Sequence, residues 1–245
     1  MNEVTFRVYG PLNDFLAQAR RQAPFTIHFA GRRSVKDAIE SVGVPHPEIQ
    51  LIVVNGEPAS LDLNIQDGDR VAVFPTFYAI DLSGTLHARP NVPETIRFAL
   101  DGHLAKLARR LRLLGLDAAC RAGADDDALA ALASREARVL LTRDLQLLKR
   151  RSVTYGHFVR ETDAQRQLVE VLRRYGPMPF APFSRCLRCN GELHAVPKAA
   201  IETMLPPLTR RHYDDFQICA ACGRVYWRGS HWFRLQRAVD AALRV

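Results

Sequence analysis

Residues 98–118 read FALDGHLAKLARRLRLLGLDA, and this stretch decides the fold class. The apolar run Thr95–Leu100 is short enough for a strand and stops at Asp101-Gly102, a turn pair. From His103 to Leu114 the period changes: Leu104, Leu107, Ala108, Leu111 and Leu114 share one helical face, while Lys106, Arg109, Arg110 and Arg112 fall mostly on others. Gly115 suits the position just past the helix end. The unit is strand, turn, helix, and it repeats downstream. A short strand is expected at Ala118–Arg121, and Asp125-Asp126-Asp127 open a helix Ala128–Arg135, where acids suit the positive end of the helix dipole. Arg138–Thr142 is a buried-type strand ending at Arg143-Asp144, followed by a short helix through Leu148. His157–Val159 is a further strand, and Asp163–Tyr175 an amphipathic helix. Strands alternating with helices at this spacing predict an α/β sandwich with a mainly parallel sheet over residues 94–176.

Upstream the pattern differs. Residues 3–9 and Phe25–Phe29 read as strands, with a short helical pattern from Pro11 to Arg21 between them. Ser34 is an N-cap for a helix Val35–Val42 that Gly43 ends. Ile49–Val54 is an apolar strand followed by the turn pair Asn55-Gly56, and Asp67-Gly68-Asp69 turns into a last strand, Arg70–Phe74. The order ββαββ describes a small β-grasp domain over residues 1–80, with 81–93 as a linker poor in periodic apolar positions.

Downstream, Pro177, Pro179 and Pro182 mark a boundary before residues 184–245. Four of the five cysteines lie there as Cys186/Cys189 and Cys219/Cys222. Two residues between cysteines let two thiolates converge on one ion, and two such turns complete a tetrahedral sulfur site suited to zinc. Gly191 and Gly223 are placed where the turns must reverse the chain. With four thiolates no position is left for a catalytic water, so the site is expected to be structural. The alternative, two redox dithiols, calls for a strand inside a βαβ unit before each pair. The insert from Asn190 to Ile218 is long for a minimal ribbon and is expected to carry a helix or an extended arm. A closing helix is expected over Trp232–Leu243, with Ser230 or a neighbour as its cap.

Chemistry is expected at the strand ends. In an open parallel sheet the loops at the carboxyl ends converge on the ligand crevice. Asp101 ends one strand, Asp144 another, and Asp125–Asp127 follow a third. Crowding these acids together is costly unless a cation compensates, and Mg²⁺ or Mn²⁺ takes carboxylate oxygens and acts on phosphate esters. Residue by residue there are plainer readings: Asp101 as turn or cap, Asp125 to Asp127 and Asp144 as helix caps, Lys106 and Arg109 as a solvated face. His103 could assist proton transfer, although an ordinary helix-start histidine is the plainer reading.

Charge supports a polyanionic partner. The 245 residues carry a net charge of +8 and 47% hydrophobic residues. Residues 1–80 hold seven Lys/Arg against nine Asp/Glu, and the remainder 27 against 17, mostly arginine. Forked guanidinium donors suit phosphate, and nucleic acid is its commonest bearer. Lys106, Arg109, Arg112 and Arg143 are the expected backbone contacts. Tyr226, Trp227, His231, Trp232 and Phe233 are read as packing residues, with base stacking as the alternative. No apolar run approaches the roughly 18–20 residues that cross a bilayer. The start MNEVTFRVYG lacks a signal pattern, and cysteines set for metal fit a reducing compartment, so a cytoplasmic protein without a membrane partner is expected.

Two resemblances sharpen this reading. LIVVNGEPA (51–59) and LNIQDGDRVAVFP (63–75) resemble the ubiquitin-like sulfur carriers of thiamin and molybdopterin synthesis. Those act through a free C-terminal Gly-Gly; here Phe74-Pro75-Thr76-Phe77 runs on, so a docking or stabilising module is expected, with a protein partner for it. FALDGHLAKLARRLRLLGLDA, ADDDALAALA (124–133) and ARVLLTRDLQLLKR (137–150) resemble the PIN-like RNase domain named after the C-terminal region of the Mut-seven exonuclease. In that family a four-cysteine zinc ribbon follows, seen here as FSRCLRCNGEL (183–193) and CAACGRVYWRGSHW (219–232), and some bacterial members begin with a ubiquitin-like domain. The resemblance implies Asp101, Asp126 and Asp144 as ligands of a catalytic Mg²⁺ or Mn²⁺, with Asp125 as rival to Asp126. It also implies RNA as substrate. The expected function is metal-dependent hydrolysis of RNA. The alternatives are a non-catalytic RNA-binding protein and a β-grasp adaptor.

Overall fold

The computed structural model describes residues 1–76, 87–88, 90–120, 123–230 and 232–244. Most of the expected linker 81–93, the end of the first expected domain (77–80), Arg121 and His231 lie outside the described residues. Along the chain come β1 (Asn2–Val8), β2 (Phe25–Phe29), α1 (Val35–Ser41), β3 (Ile49–Val54), β4 (Glu57–Pro58) and β5 (Arg70–Pro75). Then follow β6 (Phe98–Leu100), α2 (Ala105–Leu113), β7 (Ala118–Cys120), α3 (Asp126–Arg135), β8 (Val139–Thr142), α4 (Leu145–Leu148), β9 (Gly156–Phe158) and α5 (Ala164–Tyr175). The last stretch holds β10 (Leu193–Val196), α6 (Lys198–Ile201), α7 (Pro207–His212), β11 (Phe216–Cys219), β12 (Val225–Trp227) and α8 (Trp232–Ala242). The chain divides into two compact units: Met1–Glu94 with Ala130–Phe158, and Thr95–Leu129 with Val159–Val245.

The first unit contains a β-grasp sheet in the order β2-β1-β5-β3-β4. β1 runs parallel to β5, and its other pairings are antiparallel. Alternation along β1 turns Val4, Phe6 and Val8 into the core, where they join Val35, Ala38 and Ile39 of α1. The Ser34 hydroxyl accepts from the Asp37 amide at 3.1 Å and starts that helix as expected. Asn55 and Gly56 both take positive φ, 53° and 96°, which a tight hairpin between β3 and β4 requires. The helix expected from Pro11 to Arg21 is instead two short 3₁₀ turns, Gly10–Phe15 and Gln18–Arg20. The reason is local. Asn13 donates from Nδ2 to the carbonyls of Val8 and Gly10 and accepts the Gln22 amide on Oδ1, so its side chain competes with a continuing helix ladder.

The same unit takes in the parallel pair β8 and β9. Glu48, 1% exposed, accepts on Oε1 from the Phe158 amide at 2.6 Å and lies 2.9 Å from His157 Nδ1, itself 3% exposed. His46 bridges Glu40 and the Val153 carbonyl, and Lys149 Nζ donates to the Glu40 carbonyl at 2.8 Å. The β-grasp segment 40–48 is therefore bonded to the segment that carries α4. Removing the carboxylate leaves a buried histidine and a buried amide without it, so Glu48→Ala is expected to lower unfolding stability by about 3 kcal/mol. Urea denaturation of the full chain measures this, and an unchanged midpoint refutes it.

The second unit holds β6 and β7, parallel with Phe98 opposite Ala118 and Leu100 opposite Cys120. Leu107, Ala108 and Leu111 of α2 are fully buried, and Phe98 meets Tyr175 of α5 edge to face at 5.7 Å. The α/β expectation agrees with what is found: both described strand pairs between Phe98 and Phe158 run parallel, with helices between them. The cysteine segment forms an antiparallel sheet β10-β11-β12, and the long insert does carry helices, α6 and α7, around a small core of Ile201, Leu205 and Phe216. Among the described residues no helix is long and apolar enough to cross a membrane.

Candidate functional site

The two Cys-x-x-Cys turns are built alike. In the first, the Cys186 amide donates to the Gly191 carbonyl at 2.8 Å and the Asn190 amide to the Cys186 carbonyl at 3.0 Å. In the second, Cys219 donates to Arg224 at 3.0 Å and Gly223 to Cys219 at 2.9 Å. The left-handed residue of each turn is thus Asn190 (φ 74°) or Gly223 (φ 69°). Gly191 was expected to serve the reversal; its actual role is close packing. A Cβ on Gly191 would lie 2.8 Å from Ala221 Cβ and 2.9 Å from Cys219 Sγ.

The four sulfurs converge. Cys186 and Cys222 Sγ are 3.7 Å apart, Cys189 and Cys219 3.4 Å, and all four lie within 4.8 Å of one another. A tetrahedral ion with metal–sulfur bonds of about 2.3 Å needs sulfurs roughly 3.8 Å apart. The set could therefore hold a metal such as zinc. Burial pushes the Cys186 thiol up, but the Tyr226 hydroxyl at 3.1 Å and the amides of Cys189 and Arg188 outweigh it and bring it down to about 6. Burial, with hydrogen bonds to the other thiols, pushes Cys189 up to about 12. Hydrogen-bond donors thus ease the first thiolate while burial and the neighbouring thiols make the next costly, a conflict that a cation resolves.

The first turn is fastened to the strand that follows α2. Asn190 accepts the Ala118 amide on Oδ1 at 2.8 Å and donates from Nδ2 to Asp117 Oδ1 at 2.7 Å. Arg112, 3% exposed, donates from Nε to the Ala118 carbonyl and from Nη1 to those of Leu187 and Arg188. Its guanidinium is thus engaged with backbone, and burial lowers its pKa. Lys106 and Arg109 are exposed on α2. Arg143 lies over the Phe158 ring at 6.0 Å.

The acids follow parallel strands in the chain. Asp101 directly follows β6, and its Oδ1 accepts the His103 amide at 3.3 Å. After β7 in the chain, Asp125 accepts the Ala128 amide on Oδ1 at 2.7 Å and caps α3, whose first turn contains Asp126 and Asp127. The helix starts two residues earlier than expected. Asp144 follows β8 and caps α4, accepting the Gln146 and Leu147 amides on Oδ1 at 2.7 and 3.3 Å. Among the described residues, the four cysteines are the group of three or more ligand side chains with donor atoms mutually within 4.8 Å.

Two arginines were not foreseen as functional. Arg188 lies inside the first cysteine turn and Arg224 directly after Gly223; both are exposed. Their adjacency to cysteines was a usable signal.

Comparison with known proteins finds two families in succession along the chain. Residues 96–239 match the model of the Mut7-C RNase domain and residues 1–81 that of the Mut7-C ubiquitin domain. No curated protein matches the chain. Two crystal structures of small archaeal modifier protein 1 (SAMP1) from Haloferax volcanii align with 31% of this chain and with 97% and 100% of theirs, at 17% identity and a TM-score of 0.25. A score that low carries no argument here.

Proposed function

This chain belongs to the Mut7-C RNase domain family, and from that premise we propose that it is a metal-dependent ribonuclease. The supporting observation is the placing of three acids after parallel strands: Asp101 directly follows β6, Asp144 lies two residues past β8, and Asp126 opens the helix that follows β7. Carboxylate oxygens are the donors that Mg²⁺ and Mn²⁺ prefer, and such ions commonly use one or two carboxylates together with waters and substrate phosphate. Asp101, Asp126 and Asp144 are the proposed ligands. Asp125 is assigned the helix cap, because its oxygen receives the Ala128 amide. When bound, the ion would lower the pKa of an attacking water and stabilise the leaving oxygen. Lys106, Arg109 and Arg143 would contact the RNA backbone, and Arg112 would hold the first cysteine turn in place.

The four cysteines are proposed to hold one structural zinc. The ubiquitin-like domain is proposed to buttress the segment bearing Asp144 through Glu48 and Lys149, and its sheet surface is a candidate for docking a protein partner. The direct test incubates the full chain with end-labelled RNA and added Mn²⁺ or Mg²⁺. Shortened products that require the added ion are expected; intact RNA under every divalent ion contradicts the reading.

A further inference from the structure

Two neighbouring cavities in the second unit have complementary characters. The smaller, of about 690 Å³, is lined by Arg109 and Arg112 from α2, by Arg188 and Arg224 from the two cysteine turns, and, among the described residues, by no Asp or Glu. Gly102, directly after Asp101, is on its wall. Among the described residues no ion pair engages Arg109, Arg188 or Arg224, and all three are exposed. Guanidinium groups keep their charge at any working pH, so four of them around one acid-free space create a field that an anion relieves.

The larger cavity, of about 1160 Å³, shares Leu187, Arg224 and Tyr226 with the smaller one and so adjoins it. Its lining includes Trp227, 37% exposed, and Trp232, which stacks on Phe183 and lies under Arg228. Asp214 and Asp215 also line it, Asp214 paired to Lys198 at 2.8 Å. Phosphate is therefore better placed in the small cavity and an apolar ring face in the large one. An exposed indole next to a basic cleft offers a stacking platform for an unpaired base.

We propose that the cysteine module and α2 together form the path of single-stranded RNA: phosphates lie against Arg109, Arg188 and Arg224, and an unpaired base stacks on Trp227. This deepens the ribonuclease reading and rests on it. The metal-held turns would then be part of substrate binding, because they set Arg188 and Arg224 opposite Arg109. A duplex would lack the splayed base that Trp227 requires.

The test is fluorescence anisotropy of the full-length protein with a labelled oligouridylate of 12 nucleotides, without added Mg²⁺ or Mn²⁺, over a salt series. Arg188→Ala/Arg224→Ala is expected to weaken binding at least about tenfold and to flatten the salt slope by about 1.4, near 0.7 for each lost phosphate contact. Trp227→Ala is expected to weaken binding roughly tenfold with the slope kept, and Trp227→Phe to recover most of it. Arg211→Ala, an exposed arginine lining neither cavity, is the control and should bind as wild type. Zinc content reports that each variant is folded. Wild-type affinity in the double variant overturns the path while leaving cleavage and the nuclease reading intact. Conversely, reduced binding in the variants of a protein that never cleaves RNA sinks the nuclease reading and keeps the path. Equal binding of a 12-base-pair RNA duplex, or of polyglutamate of similar length, also overturns the proposal.

Discussion

Replacing Asp101 or Asp144 with Asn is expected to reduce the proposed metal-dependent RNA cleavage by about 10³-fold, on the scale of the several kcal/mol a bound metal contributes to a phosphoryl-transfer barrier. Asn is chosen because it separates the two roles these residues can play. It caps a helix about as well as Asp, so the bonds to the His103 amide, or to Gln146 and Leu147, can persist. What it removes is the negative charge and the strong oxygen donor that a hard cation needs. The matching control is Asp163→Asn. Asp163 caps α5, accepting the Gln165 and Arg166 amides, and those amides lower its pKa. Its role is confined to that helix end, and the cleavage rate should be unchanged. RNA affinity measured without added divalent ion should also be unchanged in Asp101→Asn, because the proposed phosphate contacts are lysine and arginine side chains. Cleavage at the wild-type rate by the double Asp101/Asp144 variant would mean that the activity comes from another site.

The second large effect concerns the cysteines. Cys189→Ser or Cys222→Ser is expected to take zinc from one ion per chain to none, and to expose residues 184–229 to protease. The apolar core of this module is small: among the described residues Ile201, Leu205 and Phe216 are the buried members of its cluster, with Val196, Tyr213, Ile218 and Val225 partly buried against them. Binding of a structural zinc is worth on the order of 10–16 kcal/mol in small zinc-dependent folds, so its loss should outweigh any single packing change here. Cys189 and Cys222 are exposed while Cys186 and Cys219 are buried, so a chelator can reach the ion from one side. Chelation of the wild-type protein should reproduce the protease sensitivity. Zinc retained at one per chain in both variants would contradict a four-sulfur site. The consequence reaches beyond the module. Asn190 of the first turn holds the Ala118 amide, the first residue of β7, so losing the ion should also loosen the strand that leads to Asp126.

Much of this was legible in the chain because the signals are local. Ser34 capping α1, the Asn55-Gly56 hairpin, the apolar strand Ile49–Val54 and the paired cysteines each depend on residues a few positions apart. What could not be read depends on distant partners. Nothing near Glu48 announces that it is bonded to His157 and Phe158, more than a hundred positions away, which places Ala130–Phe158 in one unit with the β-grasp sheet. Arg112 looked like one more basic residue of α2. It lies one turn from Ala108 on the buried side, and its head group is turned onto backbone carbonyls. Asn13 illustrates the opposite failure: a periodic pattern outvoted by a single side chain that bonds its own backbone. Arg188 and Arg224 acquire meaning only once the cysteine turns are docked beside Arg109.

The proposed activity depends on a divalent ion bound by acids that follow the strands. Anomalous diffraction from a crystal soaked in Mn²⁺, recorded on both sides of the manganese edge, tests that directly. A manganese peak is expected within coordination distance of Asp101, lost in Asp101→Asn crystals. A data set in which manganese binds elsewhere, or in which the acids carry no peak at saturating Mn²⁺, would contradict it.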